Sequence, residues 1–190
     1  MTKKTNTMVK VAIMSAVAFV VMLIETPPLF STFLRMDFSD IVAVIAGFAL
    51  GPLAGVAVQL IKNVLHLMMS TTSGVGELGN FIVGGAFVFV AGHIYHKNKT
   101  RKQALIALLA ASLTMVAVAI LANVFLLLPL YAGVLGFKTE VIIELTAKVN
   151  PLVSDVTSFA LFAIAPFNLI KALLVSFVTF IIYKKISKYL

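Results

Sequence analysis

Polar side chains recur at helical spacing inside the apolar stretches of this chain. Asn168 and Lys171 interrupt the last apolar stretch, 159–183, at positions i and i+3. An ammonium group at membrane depth costs about 3 kcal/mol or more, so a membrane helix rarely carries one without a partner or a function. The chemistry that this pair offers is hydrogen bonding to a ligand or to a buried carboxylate.

Other polar residues are predicted to lie at the same depth. Four of them share one face of the third apolar stretch at spacing i, i+3, i+4 and i+7, namely Gln59, Lys62, Asn63 and His66. Glu77 and Asn80 begin the next stretch at i and i+3, and Asn123 lies near the outer end of the fifth. Together they predict a ligand site in the outer half of the membrane.

A structural interpretation competes for each of these residues. A single Asn within a membrane helix usually makes an interhelical hydrogen bond. Lys62 or Lys171 paired with Glu77 would be a buried ion pair that needs no ligand. We favour the ligand site because the whole set converges at one depth.

The composition requires an integral membrane protein. The chain has 190 residues, of which 61% are hydrophobic and 12% charged, whereas about a quarter of a soluble domain is charged. We therefore predict one all-α membrane domain over 1–190. The net charge of +8 lies in clusters that flank apolar stretches, a pattern typical of cytoplasmic loops and not of a nucleic-acid surface.

The apolar stretches predict six transmembrane helices with both termini in the cytoplasm, since six spans place all the basic clusters on one side. The sequence Gly51-Pro52 splits a stretch that is too long for one span. The predicted helices cover about 8–25, 38–50, 53–70, 78–95, 104–128 and 159–183. The remaining outer segments, 25–37, 70–77 and 129–158, are predicted loops, of which the longest is a candidate lid.

The predicted second helix is too short to cross the membrane by itself, so we expect its N-terminus to lie below the outer surface. Asp37 and Ser39 are candidate N-caps there. Non-helical backbone below the membrane surface must be covered by protein or line a cavity. We therefore expect the 25–37 loop to lie over the polar zone.

Motifs of soluble enzymes are missing. The chain has no Cys, no Gly-x-x-x-x-Gly-Lys-Ser/Thr sequence and no His-Glu-x-x-His sequence. We predict that it is not an enzyme and holds neither a metal nor a cofactor. A stand-alone secondary transporter remains an alternative, with Glu77 and a lysine as a proton relay.

Several segments resemble a known family. They are 37–41, 47–55, 61–66 and 74–81, together with Pro166-Phe-Asn-Leu-Ile-Lys171 in the last helix. These segments resemble the riboflavin-specific substrate-binding (S) components of energy-coupling-factor (ECF) vitamin transporters, and the match covers nearly the whole chain.

The resemblance implies a function and partners. The ligand would be riboflavin, captured with high affinity from outside the cell, and the partners would be a membrane coupling subunit and two ATPase subunits. Ala12 and Ala16 would contact the coupling subunit. The substrate-binding residues that we predict are Asp37, Asp40, Lys62, Asn63, Glu77, Asn80, Asn123, Asn168 and Lys171. The residues alone leave other vitamins open, because the carboxylate of biotin could bind Lys171 directly.

Overall fold

The computed structural model describes residues 3–187, and that part of the chain is helical without a β-sheet. Two π-helical turns, Asn123–Leu127 and Ala160–Ile164, continue directly into the helices that follow them. The α-helices are α1 (Lys3–Met22), α2 (Asp40–Leu50), α3 (Pro52–His66), α4 (Val75–His96), α5 (Arg101–Ala122), α6 (Leu128–Leu135), α7 (Thr139–Ala147), α8 (Val156–Phe159) and α9 (Ala165–Ser187).

Five continuous helical segments within residues 3–187 are long and apolar enough to cross a membrane: Lys4–Met22, Pro52–Met69, Val75–His96, Arg101–Leu135 and Val156–Ile186. The remaining apolar helix, α2, has only 11 residues, which span about 16 Å at 1.5 Å per residue. The chain is therefore an all-helical membrane protein with five candidate spans. The prediction of six spans counts α2 as a sixth, and it stays a prediction together with the side of the termini.

Helix α2 lies at the centre of the bundle, where it packs against α1, α3, α4 and α9. Its residues from Ala43 to Phe48 are buried, and so are Ser39 and Asp40 at its start. The helix is short because its N-terminus ends inside the protein. As a result, the polar Ser39 and the charged Asp40 lie in the interior of the bundle.

The turn between α2 and α3 follows the prediction from Gly51-Pro52. Gly51 has φ of 114°, which favours glycine, and Pro52 occupies the first turn of α3. Gly55 then lies against the backbone of α2 because it has no side chain. This close crossing sets the rotation of α3, and hence which of its residues face the interior.

The end of the bundle that contains residues 129–158 differs from the sequence prediction. The predicted loop 129–158 contains α6 and α7, and the helix predicted to end at 128 continues through α6 to Leu135. Pro129 does not end the helix because it directly follows the π-helical turn Asn123–Leu127, where the backbone hydrogen-bond pattern changes. The 23–39 segment folds over this end, with the Phe33 ring 6.2 Å from Tyr131 and 6.3 Å from Phe159.

A Gly55→Ala substitution tests the close crossing of α2 and α3. A Cβ at Gly55 would lie 2.8 Å from the carbonyl oxygen of Ala43 and 2.9 Å from Gly47 Cα. Because backbone atoms yield little, we expect destabilisation by about 1–3 kcal/mol, measured as a lower midpoint of thermal unfolding in detergent. Gly133→Ala is the matched control, since nothing lies within 4 Å of its added Cβ. An equal effect of both substitutions would contradict the close crossing.

Candidate functional site: a cavity above a buried charge cluster

A cavity of about 620 Å³ lies at the end of the bundle where α1 ends and α4 and α9 begin. The volume is within the range of about 300–1,000 Å³ that small-molecule sites occupy. Its walls come from the end of α1, the 23–39 segment, α3 and the turn after it, α4, α5 and α9. The lining residues are Met22, Leu23, Glu25, Thr32, Phe33, Leu34, Arg35, Asp37, His66, Met69, Thr71, Thr72, Gly76, Glu77, Gly79, Asn80, Val83, Gly84, Met115, Asn123, Leu127, Tyr131, Phe167, Asn168 and Lys171.

Four paired charges lie at one side of the cavity. Lys171 Nζ is 3.0 Å from Asp37 Oδ2 and 3.0 Å from Asp40 Oδ2. Lys62 Nζ is 2.7 Å from Asp40 Oδ1 and 3.9 Å from Asp37 Oδ1. Their side chains are at most 6% exposed. Two ammonium groups therefore balance two carboxylates.

Backbone geometry at the start of α2 places both carboxylates. Asp37 accepts a hydrogen bond from the Ser39 backbone N–H at 2.9 Å and another from the Ser39 hydroxyl. Lys62 donates to the same hydroxyl. Burial raises the pKa of Asp37, but the charges of Lys171 and Lys62 outweigh it and hold that pKa well below its ordinary value.

The N-cap prediction is right about the position of Ser39 but wrong about the hydrogen bond that its side chain makes. Ser39 occupies the N-cap position of α2, but its side chain makes no capping hydrogen bond. Its hydroxyl is used instead between Lys62 and Asp37. The need to pair buried charges has displaced the local capping bond.

Helix α3 is fitted closely to α4 beneath the cavity. Gln59 Nε2 donates to Asp40 Oδ1 at 2.6 Å. A side chain at Gly84 would overlap the Gln59 amide, so the glycine is what allows this approach. Asp40 thus has both a lysine and an amide on one oxygen.

Glu77 forms a separate polar cluster in the cavity wall. His66 Nδ1 is 2.8 Å from Glu77 Oε1, and Ser70 and Thr72 donate to Oε2 at 2.8 and 3.2 Å. The pairing of Glu77 with Lys62 or Lys171, considered from the sequence, is wrong because Asp37 and Asp40 lie closer to both lysines. Glu77 instead holds the turn between α3 and α4 in place.

Three amides face the cavity. Asn80 Nδ2 donates to Asp37 Oδ2 at 3.1 Å. Asn123 and Asn168 donate to the carbonyls of Ala119 and Ile164, at 2.8 and 2.9 Å, within their own helices. Asn123 is the first residue of one π-helical turn and Asn168 bonds to the last residue of the other; such turns are frequent at functional sites.

The predicted site residues divide into four groups. The cavity lining includes Asp37, Glu77, Asn80, Asn123, Asn168 and Lys171. Asp40 and Lys62 lie behind it in the charge cluster. Asn63 is buried but does not line the cavity, since its amide donates to the Gln59 carbonyl at 2.8 Å. Ala12 and Ala16 are exposed on α1.

Sequence reasoning missed the individual residues of the cavity cover. Thr32, Phe33 and Arg35 line the cavity from the 23–39 segment, and Tyr131 lines it from α6. The loop was expected over the polar zone, but nothing in its sequence indicated which side chains point inward. Tyr131 lay in a segment that had been predicted as a loop.

The charges that line the cavity leave no ammonium or guanidinium group unpaired. Arg35 lies 3.5 Å from Glu25, Lys171 is matched by aspartates, and Glu77 bonds to His66. A carboxylate ligand would therefore meet a lysine whose charge is already offset by two aspartates. This balance suits a polar ligand without charge.

Comparison with known proteins decides the family. The family model "ECF transporter, substrate-specific component" matches residues 6–183. The chain belongs to this family. "Riboflavin transporter RibU" of Staphylococcus aureus (strain TCH60) is 32% identical over 99% of this chain and 94% of that protein. "Riboflavin transporter FmnP" of Bacillus subtilis (strain 168) is 32% identical over 98% of this chain and 95% of that protein.

This chain also has the same fold as a solved structure of an ECF S component. That structure, described as the S component of a bacterial ECF transporter, has a TM-score of 0.77 and 31% identity, and the match covers 98% of both chains. The resemblance drawn from residues 37–81 and 166–171 is thereby confirmed. The prediction that the chain is not an enzyme is confirmed too, because the family consists of transporter components.

An Asp40→Asn substitution tests the charge cluster. It leaves two buried lysines with the single carboxylate of Asp37, and removal of one partner from a buried ion pair typically costs about 3–5 kcal/mol. We expect a marked fall in the thermal unfolding midpoint in detergent. Glu25→Gln is the control, because its pair with Arg35 is 33–57% exposed and contributes at most about 1 kcal/mol. Equal midpoints for the two variants would refute a structural role for the cluster.

Proposed function

We propose that this ECF S component captures riboflavin from outside the cell. The observation that carries the proposal is the cavity of about 620 Å³, which has apolar walls, several amides and a lysine, Lys171, that is already paired with two aspartates. The names of the relatives at 32% identity support the same ligand.

The chemistry of the cavity fits a flavin. The isoalloxazine ring is flat and apolar on its faces, and the cavity offers Phe33, Leu127 and Phe167 as apolar or aromatic surfaces. Ring-edge polar groups and ribityl hydroxyls need hydrogen-bond partners, which Asn80, Asn168 and the other polar lining residues can supply.

The charge balance favours riboflavin over a carboxylate vitamin. Biotin is an anion, so its capture would benefit from a lysine free of other partners. Lys171 is already shared between two carboxylates at 3.0 Å. Under this proposal Lys171 acts as an oriented hydrogen-bond donor to a neutral ligand and supplies little net attraction.

The same proposal includes the arrangement in the membrane. The chain would cross the cell membrane six times, with α2 as the short span and both termini in the cytoplasm. It would work with a membrane coupling subunit and two ATPase subunits, and riboflavin would be its cargo without any resident cofactor. The exposed face of α1 that carries Ala12 and Ala16 is the proposed contact for the coupling subunit.

Riboflavin binding by the purified protein tests the ligand. We expect a yellow preparation, or a colourless one that quenches the fluorescence of added riboflavin with a saturable, stoichiometric dependence. Biotin in excess should not restore the fluorescence. A protein that neither carries nor takes up riboflavin would refute the proposal, and displacement of riboflavin by biotin would favour the other vitamin.

A substitution in the cavity locates the binding. Asn80→Ala removes an amide that lines the cavity, and loss of one hydrogen bond of about 1–1.5 kcal/mol weakens binding about tenfold. Asn98→Ala, in the exposed turn after α4, is the matched control. Unchanged affinity in both variants would place the riboflavin elsewhere.

Bulky substitutions on α1 test the partner contact. Ala12→Trp or Ala16→Trp should leave riboflavin binding unchanged and abolish co-purification with the coupling subunit, because a large ring prevents close helix approach. Ala117→Trp, exposed on α5, is the control and should assemble normally. Loss of riboflavin binding in the α1 variants would instead show that the face carrying Ala12 and Ala16 supports the cavity, to which α1 contributes lining residues only at its end.

A further inference from the structure

Helix α7 carries three distinct rows of side chains. One row is buried and contains Ile142 and Thr146. A second row is charged and exposed, with Glu140, Glu144 and Lys148. A third row is apolar and exposed: Val141 is 39% exposed, Leu145 37% and Val149, in the turn after the helix, 57%.

The order of these rows around the helix is informative. At roughly 100° per residue, the apolar row lies between the buried row and the charged row. A helix at the edge of a membrane bundle needs this order, because one face meets protein, the next meets acyl chains and the last meets water. In a helix surrounded by water, an exposed apolar row would be unfavourable, because its side chains would contact water.

The position of α7 along the chain agrees with a membrane boundary. The helical segment Arg101–Leu135 has 35 residues, about 52 Å at 1.5 Å per residue, which exceeds a hydrocarbon core of about 30 Å. No charged residue occurs between Ala104 and Phe137. The segment is therefore long enough to cross the apolar layer and to continue along its outer boundary, and α7 begins directly after this uncharged run.

Exposed apolar side chains continue from the spans toward α7. Phe125 before α6 is 74% exposed, Val134 on α6 is 53% exposed and Phe137 after α6 is 48% exposed. The row on α7 follows these exposed residues along the chain, and α7 packs against α6, so the row is not an isolated patch. Lipid is therefore the occupant that this continuity favours over another protein.

We propose that α7 lies flat in the outer interface of the bilayer, with Val141, Leu145 and Val149 among the lipid acyl chains. The same helix supports the cover of the cavity, since Ser31 Oγ lies 3.3 Å from Thr146 Oγ1 and Thr146 is fully buried. The bilayer surface thus becomes part of what holds the 23–39 segment in place. The lipid contact rests on no assumption about which ligand the cavity binds.

Site-directed spin labelling tests this arrangement, and the chain has no native Cys to interfere. Single labels are placed by Val141→Cys, Leu145→Cys, Glu140→Cys and Glu144→Cys, and the protein is reconstituted into lipid nanodiscs. We expect a higher ratio of oxygen collisions to collisions with a water-soluble nickel complex at positions 141 and 145 than at 140 and 144. Ala117→Cys on α5 and Asn98→Cys after α4 provide lipid-exposed and water-exposed references.

Two outcomes would overturn the proposal. Equal access of the nickel complex to all four α7 positions would place the helix in water. Labels at 141 and 145 that are immobilised and shielded from both reagents would show a protein partner, such as a second copy of this chain. Riboflavin binding is measured separately on the same samples, so that failure of the lipid contact and failure of the proposed ligand are told apart.

Discussion

The structure depends on the burial of two lysines and two aspartates in one cluster. Charges at this depth are tolerated only when each has a partner of opposite sign and further hydrogen bonds. Asp37 comes from the loop over the bundle, Asp40 from α2, Lys62 from α3 and Lys171 from α9. Four parts of the chain are therefore held in register by a requirement that none of them could meet alone.

The cluster also determines what the cavity can bind. Its charges cancel, so a ligand gains little from net attraction and must be recognised by shape and hydrogen bonds. The short helix α2 makes this possible, because its buried N-terminus brings Asp40 to the level of Lys62 and Lys171. A longer α2 would fill the space that the cavity occupies. The function proposed for this S component therefore depends on the short length of α2.

The segment that covers the cavity is held at both of its ends. The 23–39 segment contributes Asp37 to the cluster and aromatic and polar side chains to the cavity. Its tip is held by α6, α7 and α8 through Phe33 and Ser31. A segment tied at one end by charges and at the other by packing can close a site without a helix of its own.

The sequence by itself determined the membrane class, the positions of most helices, the Gly51-Pro52 turn and the face shared by Gln59 and Lys62. These features follow from hydropathy and from a helical period that is local to each segment. Only the tertiary structure decided the ion pairs, because Lys171 and Asp37 are 134 residues apart and their meeting depends on how helices rotate against one another. By charge alone, Glu77 was a plausible partner for either lysine. The packing of α3 against α4 instead places Glu77 beside His66. The helices within 129–158 were missed for a related reason: their stability comes from contacts with the bundle and the cover more than from their own sequence.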